Sequence, residues 1–390
     1  MKNHFRGPWL DRLRVTAFPV ALRLAQPVVW LRRRLWPHRV RLWRVESAVG
    51  HGQPLTVVGS LTDQSKHFFL SRAFDGGYRE ADFGVARLAE VFGRAWARKK
   101  DGSLIVVETS QTHFQRLKQD GWFFIPTWIS GTVSLPIPEE FLKRETVRSD
   151  LRKIRRQEFE YEITHDEARF NDFYHHMHLP YIRKTHGNAA CLDSYAEKRR
   201  QCGEYDLLLV RQRGQDIAGM LIIHEPAAPR LWSLGVREDG VDHVKDGVLA
   251  ALYHFSFEHL AARGFKCANL GSSRAFLHDG VLNFKRKLSQ TIAHGSWQGI
   301  AFKVSSLTPA TRDFLQKTPF VFLADDQLQG AVFTEDELSL EKIQKLEKDY
   351  LHPGLARLTI YSFHPVEKLK PLLASLVGRV EIRPAEELVR

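Results

Sequence analysis

The sequence predicts an α/β protein built from two tandem units, each a mixed sheet flanked by helices, followed by a small α/β appendage. Three observations carry this expectation. At 390 residues the chain exceeds the size at which a single hydrophobic core stops growing, so it divides into domains. With 43% hydrophobic and 26% charged residues it is globular in composition, which excludes collagen-like, low-complexity and wholly disordered chains. Short apolar runs of strand character alternate with helical patterns, the order that covers a sheet with helices.

The net charge of +12 is unevenly placed. Residues 1–44 hold eleven Lys and Arg against one acid, Asp11, and these cations alternate with Trp9, Leu13, Phe18, Leu22, Val28, Trp30, Leu35 and Trp36. The segment is therefore a basic amphipathic arm. Its apolar stretch, Val15 to Leu31, is broken by Pro19, Arg23 and Pro27 and falls short of the ~20 apolar residues that span a bilayer. Arginines follow it where a signal peptide would carry a small-residue cleavage site. Pro27 suits the first turn of a short helix with Val28, Leu31 and Leu35 on one face and Arg32, Arg33 and Arg34 outward. The leading expectation is an anchor on an anionic membrane surface, with the protein peripheral at the cytoplasmic face. Docking on the body and contact with nucleic acid are the alternatives. Cys191, Cys202 and Cys267 form neither a paired framework nor a CxxC, which predicts buried, inert thiols in a reducing compartment.

Residues 45–140 form the first unit. Leu55–Ser60 and His67–Ser71 read as strands, Asp82–Arg98 as a helix, Ser103–Glu108 as a buried strand, Thr112–Gln119 as a short helix and Trp122–Leu135 as one extended β segment. Pro136-Ile137-Pro138 interrupts regular pairing, and a basic stretch, Lys143–Arg156, follows; a boundary is placed here. The second unit, 141–304, reads as helices Phe170–Lys184 and Tyr195–Gln201, then strands Tyr205–Arg211, Ile217–His224 and Pro229–Val236, with Gly214 in the first turn. A loop leads to a long helix, Gly247–Ala262, closed by Gly264, and to a strand, Lys266–Leu270. Residues 305–390 repeat the rhythm in short form: strand Phe320–Ala324, helix Ser339–Tyr350, strand Ala356–Tyr361, helix Pro365–Val377, strand Arg379–Ile382.

The order hairpin, strand, loop, helix, strand, together with SDLRKIRRQ at 149–157, LPYIRKTHG at 179–187, NLGSS at 269–273 and HDGVLNFKRKL at 278–288, resembles the GNAT acyltransferases. The resemblance is to the branch that holds the Fem peptidyltransferases of cell-wall synthesis and related polysaccharide-locus acyltransferases. It implies tandem GNAT-like units, the first without an intact donor site, and transfer of an acyl group from acyl-CoA to an amine or hydroxyl of an envelope, glycolipid or polysaccharide precursor. An aminoacyl-tRNA donor, as in the Fem proteins, and a non-catalytic scaffold are the alternatives.

The resemblance places Lys285 beside the acyl carbonyl, where an ammonium stabilises the developing oxyanion. His278 and Asp279 lie just upstream as a candidate base and its partner. Gly247 and Val248, at the start of the long helix, are expected to offer free N–H groups to a donor pyrophosphate with Lys245 adding charge. The family's Arg/Gln-x-x-Gly-x-Gly/Ala loop is absent, since GVDHVKDG offers only Gly240 and Gly247. Gly271, Ser272 and Ser273 at the strand end are candidate donor contacts; Tyr181, Arg183, Lys184, Arg274 and Phe284 are candidate acceptor contacts. His175, His176 and His178 lack the Glu or Cys that would complete a metal set, so no metal is expected. No GxSxG, HExxH or GxxxxGK[ST] occurs.

Overall fold

The computed structural model describes residues 39–47, 54–74, 77–93, 102–187, 194–200, 204–238, 243–365 and 378–389. Its strands are β1 (Arg39–Ser47), β2 (Thr56–Ser60), β3 (Tyr78–Arg87), β4 (Leu104–Ser110), β5 (Trp122–Pro126), β6 (Ile129–Ser134), β7 (Glu160–Thr164), β8 (Tyr205–Gln212), β9 (Gln215–Ile223), β10 (Arg230–Val236), β11 (Cys267–Ser273), β12 (Thr291–His294), β13 (Gln298–Val304), β14 (Phe320–Ala324), β15 (Gln327–Thr334), β16 (Arg357–Ser362) and β17 (Val380–Pro384). They form three sheets, ordered β3-β1-β2-β4-β13-β5, β12-β6-β11-β10-β9-β8-β7 and β14-β15-β16-β17.

The first two sheets exchange a strand. β6 leaves the first unit and lies between β11 and β12, antiparallel to both. β13 leaves the second unit and lies between β4 and β5, antiparallel to both. The two transplanted strands occupy equivalent places, so each sheet is completed by the other unit. This corrects the boundary at 140/141. Trp122–Leu135 is two strands in different sheets, parted by Thr127 and Trp128, and neither 45–140 nor 141–304 contains all the strands of its own sheet. The appendage is likewise joined to the body. Phe123 of β5 meets Phe320, Phe322 and Tyr361 at ring distances of 5.3, 5.0 and 6.1 Å, and Phe314 meets Phe69 at 5.6 Å. One buried core therefore runs from the first sheet into the third, and the turn at Pro353 also bonds Ile292 on the edge strand β12.

Two local expectations fail for one reason, the ambiguity of short apolar runs. His67–Ser71 lies inside a helix, Asp63–Ala73, because Phe68, Phe69 and Leu70 are all buried and can be so on a helix packed deeply. Asp82, expected to open a helix, sits in β3, where pairing along the length of β1 overrides local propensity; the helix after it is only Leu88–Val91. The arm as read to residue 44 overlaps β1, whose Leu42 and Trp43 are buried. Residues 1–38, Cys191, Cys202, Gly240 and 366–377 lie outside the described residues. Cys267, expected to be buried, is only half-buried.

In the second unit the predicted elements stand within a few residues of their expected ends. The helix read from Phe170 runs from Glu167 to His186 and contains a π segment, Phe173–His178. That segment crosses β10 so closely that a Cβ on Gly235 would lie 2.3 Å from the backbone nitrogen of His178. Glycine at 235 is what allows the helix backbone to reach the sheet.

Candidate functional site

The site opens where two parallel strands part. β10 and β11 share a single register pair, Arg230 with Asn269, and then diverge. The corresponding strands of the first sheet, β2 and β4, stay paired over four positions, with Val106 packed against Gly59, so these two strands do not part. Below the divergence lies a cavity of about 470 Å³. β11 carries a bulge between Asn269 and Ser272, centred on Gly271 at φ 73°, whose N–H donates to Asn269 Oδ1 at 2.8 Å. A Cβ at 271 would stand 3.3 Å from the carbonyl of Leu231 and 3.9 Å from Lys285 Nζ, so glycine keeps both the left-handed backbone and the gap between the strands.

Lys285 sits at the base of this gap. It lies on the helix Gly280–Arg286, is 4% exposed, and donates from Nζ to the carbonyl of Ser272 at 2.9 Å. Burial pulls its ammonium down to about 8, with Asp279 acting in the opposite direction. Asp279 fixes that helix: its Oδ1 accepts from the N–H groups of Val281 and Leu282, and Arg72, from the first unit, reaches Oδ2 at 3.5 Å. Asp279 thus positions Lys285 by capping its helix.

The first unit also supplies a wall. The guanidinium of Arg274 lies 4.0 Å over Trp128 and 4.6 Å over Phe68. On the β10 side, Lys198 is buried, donates to Ser233 Oγ and lies 3.9 Å over Trp232. His178, also buried, donates from Nδ1 to the carbonyl of Leu234 at 2.7 Å. Tyr181 and Tyr253 line the same space, both phenols raised by burial.

Of the residues singled out in the sequence, the structure gathers Lys285, Asp279, Gly271, Ser272, Ser273, Arg274, Phe284 and Tyr181 around one cavity. It leaves six outside that lining. His278 is turned away, its Nδ1–H given to the carbonyl of Lys317 at 2.9 Å and its Nε2 accepting from Tyr350 at 2.7 Å. That ring joins the appendage to the second unit, which corrects its assignment as base. Arg183 is exposed and Lys184 pairs with Glu238 at 3.0 Å. Gly247 and Val248, expected to present free N–H groups, donate them to Val244 and His243 at 3.2 and 3.1 Å. Lys153 lies against Gly247 and donates to the carbonyl of Lys245 at 3.1 Å, so the turn closes on itself.

His178 was weighed in the sequence only as a metal ligand, and Lys198, Trp128 and Phe68 were missed. The last two belong to the first unit and reach the site only through the strand exchange. His178 had one signal, its place beside Leu179-Pro180 at the centre of a helix, and Lys198 had none. Among the described residues no group of three or more His, Cys, Asp or Glu is arranged to hold a metal ion.

No family model and no curated protein matches the chain. Similar solved structures include the C-terminal domain of a putative lysylphosphatidylglycerol synthetase from Agrobacterium fabrum, at 12% identity over 67% of this chain and 80% of that one, TM-score 0.35. L-PGS from Bacillus licheniformis is similar at 13% identity over 70% and 84%, TM-score 0.35. FemX is similar at 9% identity over 66% and 83%, TM-score 0.35. At such values these likenesses say nothing of substrate. The strand order, the single-pair divergence of β10 and β11 and the long helix between them describe a GNAT-like fold on their own.

Proposed function

We propose that the chain is an acyltransferase that moves an acyl group from acyl-CoA to an amine or hydroxyl of an envelope, glycolipid or polysaccharide precursor at the cytoplasmic membrane face. The observation that carries this reading is the buried ammonium of Lys285 at the base of the gap between β10 and β11. Beyond Arg230 the backbone of β10 has no strand partner on its β11 side, which suits an extended, amide-containing donor arm laid in as an added strand. In the reaction the acceptor's nitrogen or oxygen bonds to the acyl carbon and the thioester carbon–sulfur bond breaks. Lys285 stabilises the oxyanion, and His178 Nε2 takes the acceptor's proton. No helix among the described residues is long and apolar enough to cross a membrane.

One observation favours a second donor, an aminoacyl ester of tRNA: the turn before the long helix spends the N–H groups of Gly247 and Val248 internally. Incubating the protein with a panel of acyl-CoAs and charged tRNAs, with binding and transfer read by mass spectrometry, separates the two. Turnover of neither class, with a folded protein, removes the acyl-transfer reading.

A further inference from the structure

We infer that the helix Glu145–Arg156, with the apolar groove beside it, is a docking face for an anionic phospholipid surface. This does not rest on the acyl-transfer reading. The helix is two-sided. Val147, Leu151 and Ile154 turn to the body, and Leu151 and Ile154 pack in the core of the second unit. Arg144, Arg148, Arg152 and Arg155 recur at one-turn spacing, all exposed, with Arg156 beside them, and run for about 16 Å. Only two acids interrupt this stretch. Glu145 pairs with Arg152 at 2.5 Å, and Asp150 lines the groove near Lys153 and Lys287.

The groove holds about 50 Å³ and is walled by Phe141, Leu142, Leu151, Ala250, Phe257 and Leu288, with Lys287 at its edge. An apolar slot next to a line of cations fits an amphiphile with an acyl tail and an anionic head. A nucleic acid would satisfy the cations but leave the apolar slot unused. Neighbouring faces of the long helix Val248–Ala262, about a quarter-turn apart, serve the two places: Leu249 and Tyr253 line the cavity, whereas Ala250, His254 and Phe257 line the groove. A bilayer docked here lies about one helix diameter, ~10 Å, from the cavity.

The test uses the full chain with vesicles of mixed phosphatidylglycerol and phosphatidylcholine, vesicles of phosphatidylcholine alone, and polyuridylate, with dissociation constants read by sedimentation. The wild type should prefer the anionic vesicles and lose them as salt rises. Arg148→Glu/Arg155→Glu/Arg156→Glu, all at exposed positions, should weaken that binding by about 100-fold or more. Ala250→Leu, which fills the slot, should weaken vesicle binding about fivefold while leaving the salt dependence unchanged. Circular dichroism confirms that each variant folds. Equal binding by the triple variant, equal affinity for uncharged vesicles, or tighter binding of polyuridylate than of anionic vesicles would each overturn the assignment.

Discussion

Replacing Lys285 by Met keeps the length and apolar stem of the side chain and removes its charge, so it separates what the ammonium does for chemistry from what it does for the fold. The lysine is 4% exposed and its ammonium is lowered by burial from 10.5 to about 8. A gap of that size corresponds to ~3 kcal/mol by which burial disfavours the charged form. Because the folded value lies below the unfolded one, the folded state binds this proton more weakly. Stability is therefore reduced below about pH 8 and recovers as pH rises from 8 to 10.5. Methionine removes that burden but also the charged hydrogen bond to Ser272, worth ~2 kcal/mol. The two nearly cancel, so Lys285→Met should unfold within ~2 kcal/mol of wild type at pH 7. The rate should fall about 100-fold, the usual loss for one group that stabilises an oxyanion. At pH 7 about nine in ten molecules carry the ammonium, and wild-type kcat/KM should decline above pH 8 as it is lost; the variant should lack that decline. Single-turnover rates on the donor class that the panel identifies, with urea unfolding alongside and exposed Lys287→Met as control, supply the comparison. A Lys285→Met rate equal to that of Lys287→Met would refute the role, as would a loss of rate matched by gross loss of stability.

Three further outcomes are expected. Gly271→Ala forces a left-handed backbone and brings a Cβ to 3.3 Å from the carbonyl of Leu231, so it should cost ~1–2 kcal/mol in thermal unfolding and weaken donor binding. Asp206 is buried and accepts from His165, His224, His259 and Arg263 at 2.9, 3.0, 2.8 and 2.6 Å, which holds its carboxyl well below the usual range. Its contribution is present above about pH 4 and lost as pH falls below that, and Asp206→Asn should cost ~3 kcal/mol at pH 7 and flatten the acid limb of an unfolding curve. Deleting 1–44 removes most of β1 with Leu42 and Trp43 and should lower the melting temperature by about 10 °C or more, and it should reduce sedimentation with anionic vesicles.

The second unit was legible because its signals are local. The hairpin at Gly214, the broad apolar stripe of Val248–Ala262 and the terminating Gly264 depend on residues a few positions apart, and periodicity reports them directly. Lys285 was singled out through the family resemblance, and Gly271 and Asp279 stand close to it in sequence, at one strand end and the start of the helix that follows. The first unit was read less well. In β3 and in the helix Asp63–Ala73 the deciding partner is distant in sequence, β1 in one case and the core under Phe69 in the other.

What the sequence by itself determined is the α/β class, the tandem layout and the second unit's element order. What only the tertiary structure decided is which strand completes which sheet, and hence which side chains meet. A run such as Trp122–Leu135 has the same alternation whether its two halves share a sheet or not, because strand periodicity encodes faces and not neighbours. The exchange of β6 for β13 carries Trp128 to Arg274 and seats the first unit against the cavity. Likewise nothing in residues 278–285 distinguishes the outward His278 from the buried Lys285. Only the placement of Lys317 and Tyr350 captures the histidine, and only the divergence of β10 from β11 leaves room above the lysine.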